Sequence, residues 1–441
     1  MSEKELFKAS NRPDGDLERV IIAAVDPSGP MESGAGASFD EDESLLELAE
    51  LIRTVDGAVV GQVVQKRKKP DPTYYIGSGK AEEISVMCDG LDADTVVFDD
   101  ELTPGQHAKL EEVIGRKVID RTQVILDIFA RRASTAEGKL QVELAQLEYL
   151  LPRLVGSREA LSRLGGGIGT RGPGETKLET DRRVIRRRIS DIKNKIEQVK
   201  SRRQIQRGRR RANELPVASL VGYTNAGKSS LMNLLTGSSV LVEDKLFATL
   251  DPTTRKLELP NKQEMLVTDT VGFIRKIPHH LIVAFRATLE ETIEADMLIH
   301  VVDASSGFAQ EQYDSVMEVL ADLGAKDKPM VTVLNKSDRP DSAEGILKLS
   351  SAVPNPVVMS ALTGEGLDRL MAEVMKVLSK RLVRIEAFMP YDEPMLREVE
   401  AHGDIILRDY VENGVKLVAE VESVLAARIA AKYPKNGGGR A

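Results

Sequence analysis

Apolar and polar positions alternate with different periods along the chain, and the changes of period divide it. Arg19-Val20-Ile21-Ile22-Ala23-Ala24-Val25, Ala58-Val59-Val60-Gly61-Gln62-Val63-Val64 and Asp94-Thr95-Val96-Val97-Phe98 read as strands. Residues 43–54 carry the apolar spacing of a helix. Strands alternating with helices predict a small parallel α/β domain over residues 17–125. A long helical pattern runs from Gln123 to about Leu164. It stops at Gly165-Gly166-Gly167-Ile168-Gly169-Thr170-Arg171-Gly172-Pro173-Gly174, because six glycines and a proline in ten residues cannot sustain a helix. A second helical run, Glu175 to about Ala212, completes a predicted helical hairpin over residues 126–213. From Pro216 the βαβ rhythm returns and lasts to Leu382, giving a domain over residues 216–382, and residues 383–434 predict a small mixed α/β domain. The polar ends, residues 1–16 and 435–441, are expected to fray.

The strongest chemistry lies just after a short buried strand, Pro216-Val217-Ala218-Ser219-Leu220-Val221. Gly222-Tyr223-Thr224-Asn225-Ala226-Gly227-Lys228-Ser229 fits the phosphate-cradling loop, and Ser230 onward starts a helix. The glycines let several backbone N–H groups turn toward one anion, and a helix N-terminus favours negative charge. Lys228 is expected to reach the β- and γ-phosphates, and the Ser229 hydroxyl to ligate Mg²⁺. Four motifs follow in order. Phe247-Ala248-Thr249-Leu250-Asp251 sits in a loop where Thr249 can close on Mg²⁺ and the γ-phosphate. Asp269-Thr270-Val271-Gly272 ends a strand; its acid is expected to hold Mg²⁺ through water, and the Gly272 N–H to meet the γ-phosphate. Asn335-Lys336-Ser337-Asp338 ends another strand. The Asp338 carboxylate can accept from guanine N1–H and the 2-amino group, a donor pair that adenine lacks, and the Lys336 stem can lie along the base. Ser360-Ala361-Leu362 offers a backbone amide to guanine O6. Five motifs in this order imply GTP as substrate with Mg²⁺, and Lys228, Thr249 and Gly272 as the groups closest to the chemistry. The expected fold class is therefore multidomain α/β: an N-terminal α/β domain with a long helical hairpin, a P-loop GTPase domain and a small C-terminal α/β domain.

Many such sites follow D-x-x-G with a glutamine that orients the attacking water. Here the next residue is Phe273, whose ring cannot hydrogen-bond water. Slow unassisted hydrolysis is expected, with acceleration by a partner that orders the site.

Composition adds a location and a possible partner. The chain of 441 residues is too long for one core, carries a net charge of −8, and has one cysteine, Cys88, which cannot form an internal disulfide. No apolar leader or membrane-length run is present, so a cytoplasmic protein, taken to be monomeric, is expected. The charge is uneven. Residues 182–211 contain fourteen Lys/Arg and two acids, a net +12. Such a run is either a solvated helix face or a surface for RNA phosphates. Arg186, Arg187 and Arg188 point around a helix, and Arg209, Arg210 and Arg211 lie at its end; these are the RNA-binding candidates.

The five motifs, Gly169-Thr170-Arg171-Gly172-Pro173-Gly174-Glu175-Thr176-Lys177-Leu178-Glu179 and Tyr75-Ile76-Gly77-Ser78-Gly79-Lys80 together resemble the HflX family of bacterial GTPases, over about residues 17–382. The resemblance implies binding to the large ribosomal subunit, splitting of stalled ribosomes and stimulation of hydrolysis by the ribosome. It also implies that Ser229 and Thr249 are Mg²⁺ ligands, and an apolar residue at Phe273 agrees with the family. It says little after Val383. Some members are reported to bind ATP through the N-terminal domain, but no phosphate loop is visible there, and Gly77–Lys80 reads as a turn. A factor that docks on the large subunit for assembly or silencing, without splitting, is the alternative. A membrane-linked signalling GTPase is disfavoured, since no lipid motif or amphipathic anchor is apparent.

Overall fold

A computed structural model describes residues 17–26, 39–154, 173–211, 215–237, 246–247, 249–276, 289, 291–379 and 382–433. In chain order the elements are β1 (Glu18–Asp26), α1 (Phe39–Thr54), β2 (Gly57–Lys66), α2 (Ser78–Gly90), β3 (Thr95–Phe98), α3 (Pro104–Ile114), β4 (Lys117–Asp120), α4 (Arg121–Arg132), α5 (Ala136–Arg153), α6 (Pro173–Arg211), β5 (Val217–Gly222), α7 (Lys228–Thr236), β6 (Thr253–Glu258), β7 (Glu264–Asp269), β8 (Met297–Asp303), α8 (Ala309–Asp322), β9 (Met330–Asn335), α9 (Ser342–Leu349), β10 (Pro356–Val358), α10 (Leu367–Ser379), β11 (Leu382–Met389), α11 (Pro394–His402), β12 (Asp404–Val411), β13 (Gly414–Glu422) and α12 (Ser423–Lys432).

The N-terminal sheet is parallel, in the order β2-β1-β3-β4. β1 is apolar at consecutive positions because both of its faces are covered. Val20, Ile22 and Ala24 enter one core with α1 and α4, while Ile21, Ala23 and Val25 enter the other with α2 and α3. Cys88 is fully buried in that second core, as a small packing residue. Gly77, at φ 96, is the N-cap of α2 and Ser78–Lys80 are its first turn, so the Gly77–Lys80 stretch expected as a turn is instead the start of a helix.

The long helix expected from Gln123 is two helices. α4 ends at Arg132, Ala133 is extended, and α5 restarts with Thr135 as its N-cap, whose hydroxyl accepts from Gly138 N–H. A capping hydroxyl competes with helix continuation, and apolar periodicity does not register so short a break. α5 and α6 pack through Leu144, Ile189, Ile192 and Ile196, which forms the hairpin. Gly165–Gly172 of the glycine loop lie outside the described residues.

The second sheet runs β10-β9-β8-β5-β7-β6, parallel except for the β6–β7 pair. A third, antiparallel sheet in the order β11-β13-β12 carries α11 and α12 and builds its own core around Met389, Val399, Leu417 and Val421. Among the described residues no helix is long and apolar enough to cross a membrane.

Candidate nucleotide site

Parallel strands end on one edge of their sheet, and in open α/β sheets that edge is where ligands bind. β5, β7, β9 and β10 deliver four of the five motifs to it. Gly222 and Gly227 have backbone angles that side chains avoid, φ 151 and 96. A Cβ at Gly222 would lie 2.1 Å from Val301 O, and one at Gly227 would lie 2.3 Å from Asn335 Nδ2. α7 begins at Lys228, directly after the loop, and Ser230 continues its first turn. Lys228 is 6% exposed, and its ammonium donates to Tyr223 O at 2.7 Å and Gly222 O at 3.1 Å. Burial pushes it down to about 8, against the pull of Asp269.

Three oxygens close beside it. The Ser229 hydroxyl donates to Asp269 Oδ2 at 2.8 Å and lies 2.9 Å from Thr249 Oγ1, which is itself 3.2 Å from Asp269 Oδ2. Asp269 is buried, and desolvation holds its carboxyl above the ordinary range in spite of Lys228. Among the described residues its second oxygen, Oδ1, and Thr224 Oγ1 have no hydrogen-bond partner. An anionic oxygen left unpaired in a dry site is costly, and a hard cation shared with phosphate oxygens would satisfy it. Gly272 leaves the required space, since a Cβ there would lie 2.9 Å from Lys228 Nζ and from Thr224 Cα. Thr270 ties this strand end to β5 by donating to Leu220 O at 2.6 Å, and Val271 is buried beside it. The phosphate loop and the D-x-x-G segment are also zipped together, with Phe273 N–H donating to Gly222 O and Thr224 N–H to Phe273 O. Phe273 is 3% exposed, packed in one core with Phe129, Phe247, Leu250 and Ile274.

On the base side, Asn335 is 2% exposed and joins three loops. Its Nδ2 donates to Ala226 O at 2.8 Å, and its Oδ1 accepts from Ala361 N–H at 2.9 Å. Lys336 adopts φ 63 and pairs with Asp303 at 2.6 Å. Asp338 is exposed at the rim, Ser360 is buried, and Leu362 is 84% exposed.

The side chains of three expected contacts face elsewhere. The Tyr223 hydroxyl donates to Glu47 Oε1 at 2.6 Å and accepts from Arg275 N–H at 2.9 Å, both away from the phosphate loop. Phe247 packs edge-on against Phe129, with centroids 4.7 Å apart. The Asp251 carboxylate accepts from Ser134 and Thr135, at the start of α5. Expected as a polar nucleotide loop, this segment is instead half embedded in the N-terminal region, because Phe247 and Leu250 supply apolar surface. Ala248 lies outside the described residues. Asn225 is exposed at the loop's tip with φ 58.

The segment after Phe273 is held by buried charge. Arg275 pairs with Glu43 at 2.9 Å, and Lys276 pairs with Asp99 and, at 2.9 Å, with Asp100. Asp99 also accepts from Arg121 at 2.8 Å, and Arg121 binds Glu47. Asp303 could have been found in the sequence as an acid ending a buried strand. Glu43, Glu47, Ser134 and Thr135 leave no local signal, since each acts across more than a hundred residues.

Of the basic helix, Arg186, Arg187 and Arg188 are all exposed; Arg188 is paired to Glu143 of α5 at 2.6 Å, and Arg186 lies 4.0 Å from Glu179. Lys193 likewise pairs with Glu148 at 2.8 Å. Arg209, Arg210 and Arg211 belong to α6, but their side chains lie outside the described residues.

Three family profiles match successive stretches between residues 42 and 336: "GTP-binding GTPase N-terminal" over residues 42–130, "GTP-binding GTPase Middle Region" over 132–210 and "50S ribosome-binding GTPase" over 217–336. GTPase HflX of Lacrimispora saccharolytica is 49% identical over 414 residues, covering 94% of this chain and 96% of that protein. GTPase HflX of Caldanaerobacter subterraneus is 47% identical over 94% of this chain and 93% of its own length. GTPase HflX of Escherichia coli is 44% identical over 85% of this chain and 89% of its own. Likeness of this extent, over a phosphate loop and guanine motifs gathered at one sheet edge, makes this chain a GTP-hydrolysing member of the HflX family.

Proposed function

We propose that this chain binds GTP with Mg²⁺ at the sheet edge, docks on the large ribosomal subunit and splits stalled ribosomes. The observation that carries the nucleotide part of this reading is that Ser229, Thr249 and Asp269 converge beside Lys228 while Asp269 Oδ1 stays buried without a partner among the described residues; docking and splitting rest on the family likeness. In this reading the amides of Gly222–Gly227 and the start of α7 receive the phosphates, and Lys228 spans the β- and γ-oxygens. Ser229 and Thr249 would hold Mg²⁺ directly and Asp269 through water. The ion supplies charge neutralisation on the phosphate oxygens. The Gly272 N–H meets the γ-phosphate, Asp338 selects guanine, Lys336 lies along the base, and the Ser360–Leu362 loop receives O6.

The buried ring at Phe273 supports slow unassisted hydrolysis and stimulation by the ribosome. The exposed Arg186 and Arg187, on a helix locked to α5, support contact with ribosomal RNA. A single-turnover assay with and without ribosomes tests the first point; fast unassisted turnover refutes it. Sedimentation of intact ribosomes with GTP or a non-hydrolysable analogue tests the second. Loss of the intact peak supports splitting, and co-migration without dissociation supports docking alone. Reversing Arg186 and Arg187, and sparing Arg188 because it holds the hairpin, should weaken ribosome binding in a salt-dependent way.

A further inference from the structure

Thr249 stands between two anchors, and both anchors belong to the N-terminal half of the chain. Two residues before it, Phe247 is 3% exposed against Phe129 of α4. Two residues after it, Asp251 receives four hydrogen bonds from the break between α4 and α5. Ser134 N–H and its hydroxyl donate to Oδ2 at 2.9 and 2.6 Å, Thr135 N–H donates to Oδ2 at 2.8 Å, and the Thr135 hydroxyl donates to Oδ1. The carboxylate therefore sits on the N-terminal end of α5, where the helix dipole adds to the donors. Burial alone would raise this carboxyl; the donors from Ser134 and Thr135 outweigh it and hold it below the usual carboxylate range. Space has been cleared for it as well. A Cβ on Gly138 would lie 2.4 Å from Asp251 Oδ1, although glycine is a poor residue for a helix.

We propose that Asp251 and Phe247 are positioning residues for GTP hydrolysis, which fasten the Thr249 segment to the α4–α5 junction so that Thr249 is held at Ser229 and Asp269. A loop that must close on the γ-phosphate otherwise pays its ordering entropy at that step. Here the N-terminal region contributes that order from within the same chain. α5 is also the helix packed against the basic α6, so the same latch ties the Thr249 segment to the hairpin. Asp251 and Phe247 act through Thr249 and touch no reacting atom.

The inference rests on the reading of Thr249 as a Mg²⁺ and γ-phosphate ligand, and the test separates the two. Full-length wild type, Asp251→Ala, Gly138→Ala and Thr249→Ala are compared for binding of fluorescent GDP and of a fluorescent non-hydrolysable GTP analogue, over a range of Mg²⁺ concentrations. Thr249→Ala should weaken the analogue and spare GDP. Asp251→Ala and Gly138→Ala should do the same. A loss of about tenfold is expected if the competent arrangement falls to roughly a tenth of the population. Excess Mg²⁺ should restore part of it. Gly138→Ala is the sharper variant, because alanine favours a helix and the substitution changes no side chain of the nucleotide site itself. It should weaken analogue binding while the thermal midpoint holds or rises. If Thr249→Ala weakens the analogue but Asp251→Ala and Gly138→Ala do not, the latch is refuted and the ligand reading stands. If the latch variants weaken GDP and analogue equally, their role is structural and the proposal fails. If Thr249→Ala leaves the analogue unaffected, the ligand reading falls and takes the latch with it.

Discussion

Nucleotide binding by this protein should take up a proton at mildly alkaline pH, and Lys228 is the group that accepts it. Burial pushes the Lys228 ammonium from 10.5 down to about 8 in the free protein, Asp269 opposing and Lys336 adding to the fall. Phosphate oxygens would restore the charge, so the bound state has the higher pKa. The sign follows: the affinity contributed by the charged lysine is complete well below pH 8 and is lost as pH rises through 8. The free protein is neutral at this site about a tenth of the time at pH 7, half at pH 8 and three-quarters at pH 8.5. GDP should therefore bind about fourfold more weakly at pH 8.5 than at pH 7, about 0.8 kcal/mol, while proton uptake rises from about 0.1 to about 0.75 per site. Titration calorimetry in two buffers of different ionisation enthalpy reads the uptake directly. The window stops at pH 8.5 because guanine N1–H begins to ionise above it. Lys228→Gln should bind weakly at every pH and show no uptake. Equal heats in the two buffers at pH 8.5 for the wild type would refute the assignment of a depressed, phosphate-facing lysine.

Gly227→Ala should weaken GDP about ten- to a hundredfold, because left-handed strain of about 1–2 kcal/mol is joined by displacement of Asn335, whose Nδ2 would be 2.3 Å from the new Cβ; fluorescence titration at wild-type affinity would contradict this. Arg121→Met removes the buried guanidinium shared by Glu47 and Asp99, leaving Glu47 with the Tyr223 hydroxyl and Asp99 with Lys276. It should cost about 3–5 kcal/mol in urea unfolding, and a loss below about 1 kcal/mol would show that the cluster relaxes. His300 is buried, with no hydrogen-bond partner for either ring nitrogen among the described residues, and desolvation pushes it from 6.5 down to about 3. The unfolded chain binds that proton first, so stability is present above pH 6.5 and lost as pH falls below it. His300→Leu should remove up to one proton, about 1.4 kcal/mol per pH unit, from the slope between pH 6 and 4; identical slopes would exclude His300 as the source.

The motifs were legible because each lies within a few residues of the strand that presents it. Gly222, Gly227 and Gly272 are demanded by close approaches that a local pattern encodes, and Asp269 and Asn335 end strands recognisable from their apolar runs. The break at Ala133–Thr135 was not legible. Apolar positions continue through it, and only the capping hydroxyl and the incoming Asp251 carboxylate stop the helix there. The polar look of residues 247–251 misled for a related reason. Phe247 and Leu250 are apolar, and they are buried in a core shared with α4 and α5, about a hundred residues earlier.

Local spacing alone determined the chemistry of this chain: which strand ends carry phosphate, cation and guanine groups, and that glutamine is missing where Phe273 stands. Backbone N–H direction, glycine φ and a side chain one residue past a strand are short-range properties, so a single sequence contains them. What only the tertiary structure decided is who holds those groups in place. Tyr223 on Glu47, Arg275 on Glu43, Lys276 on Asp99 and Asp251 on Ser134 and Thr135 are pairings between distant segments. Their energy comes from removing charge and apolar surface from water together, and that depends on which surfaces meet in the folded chain.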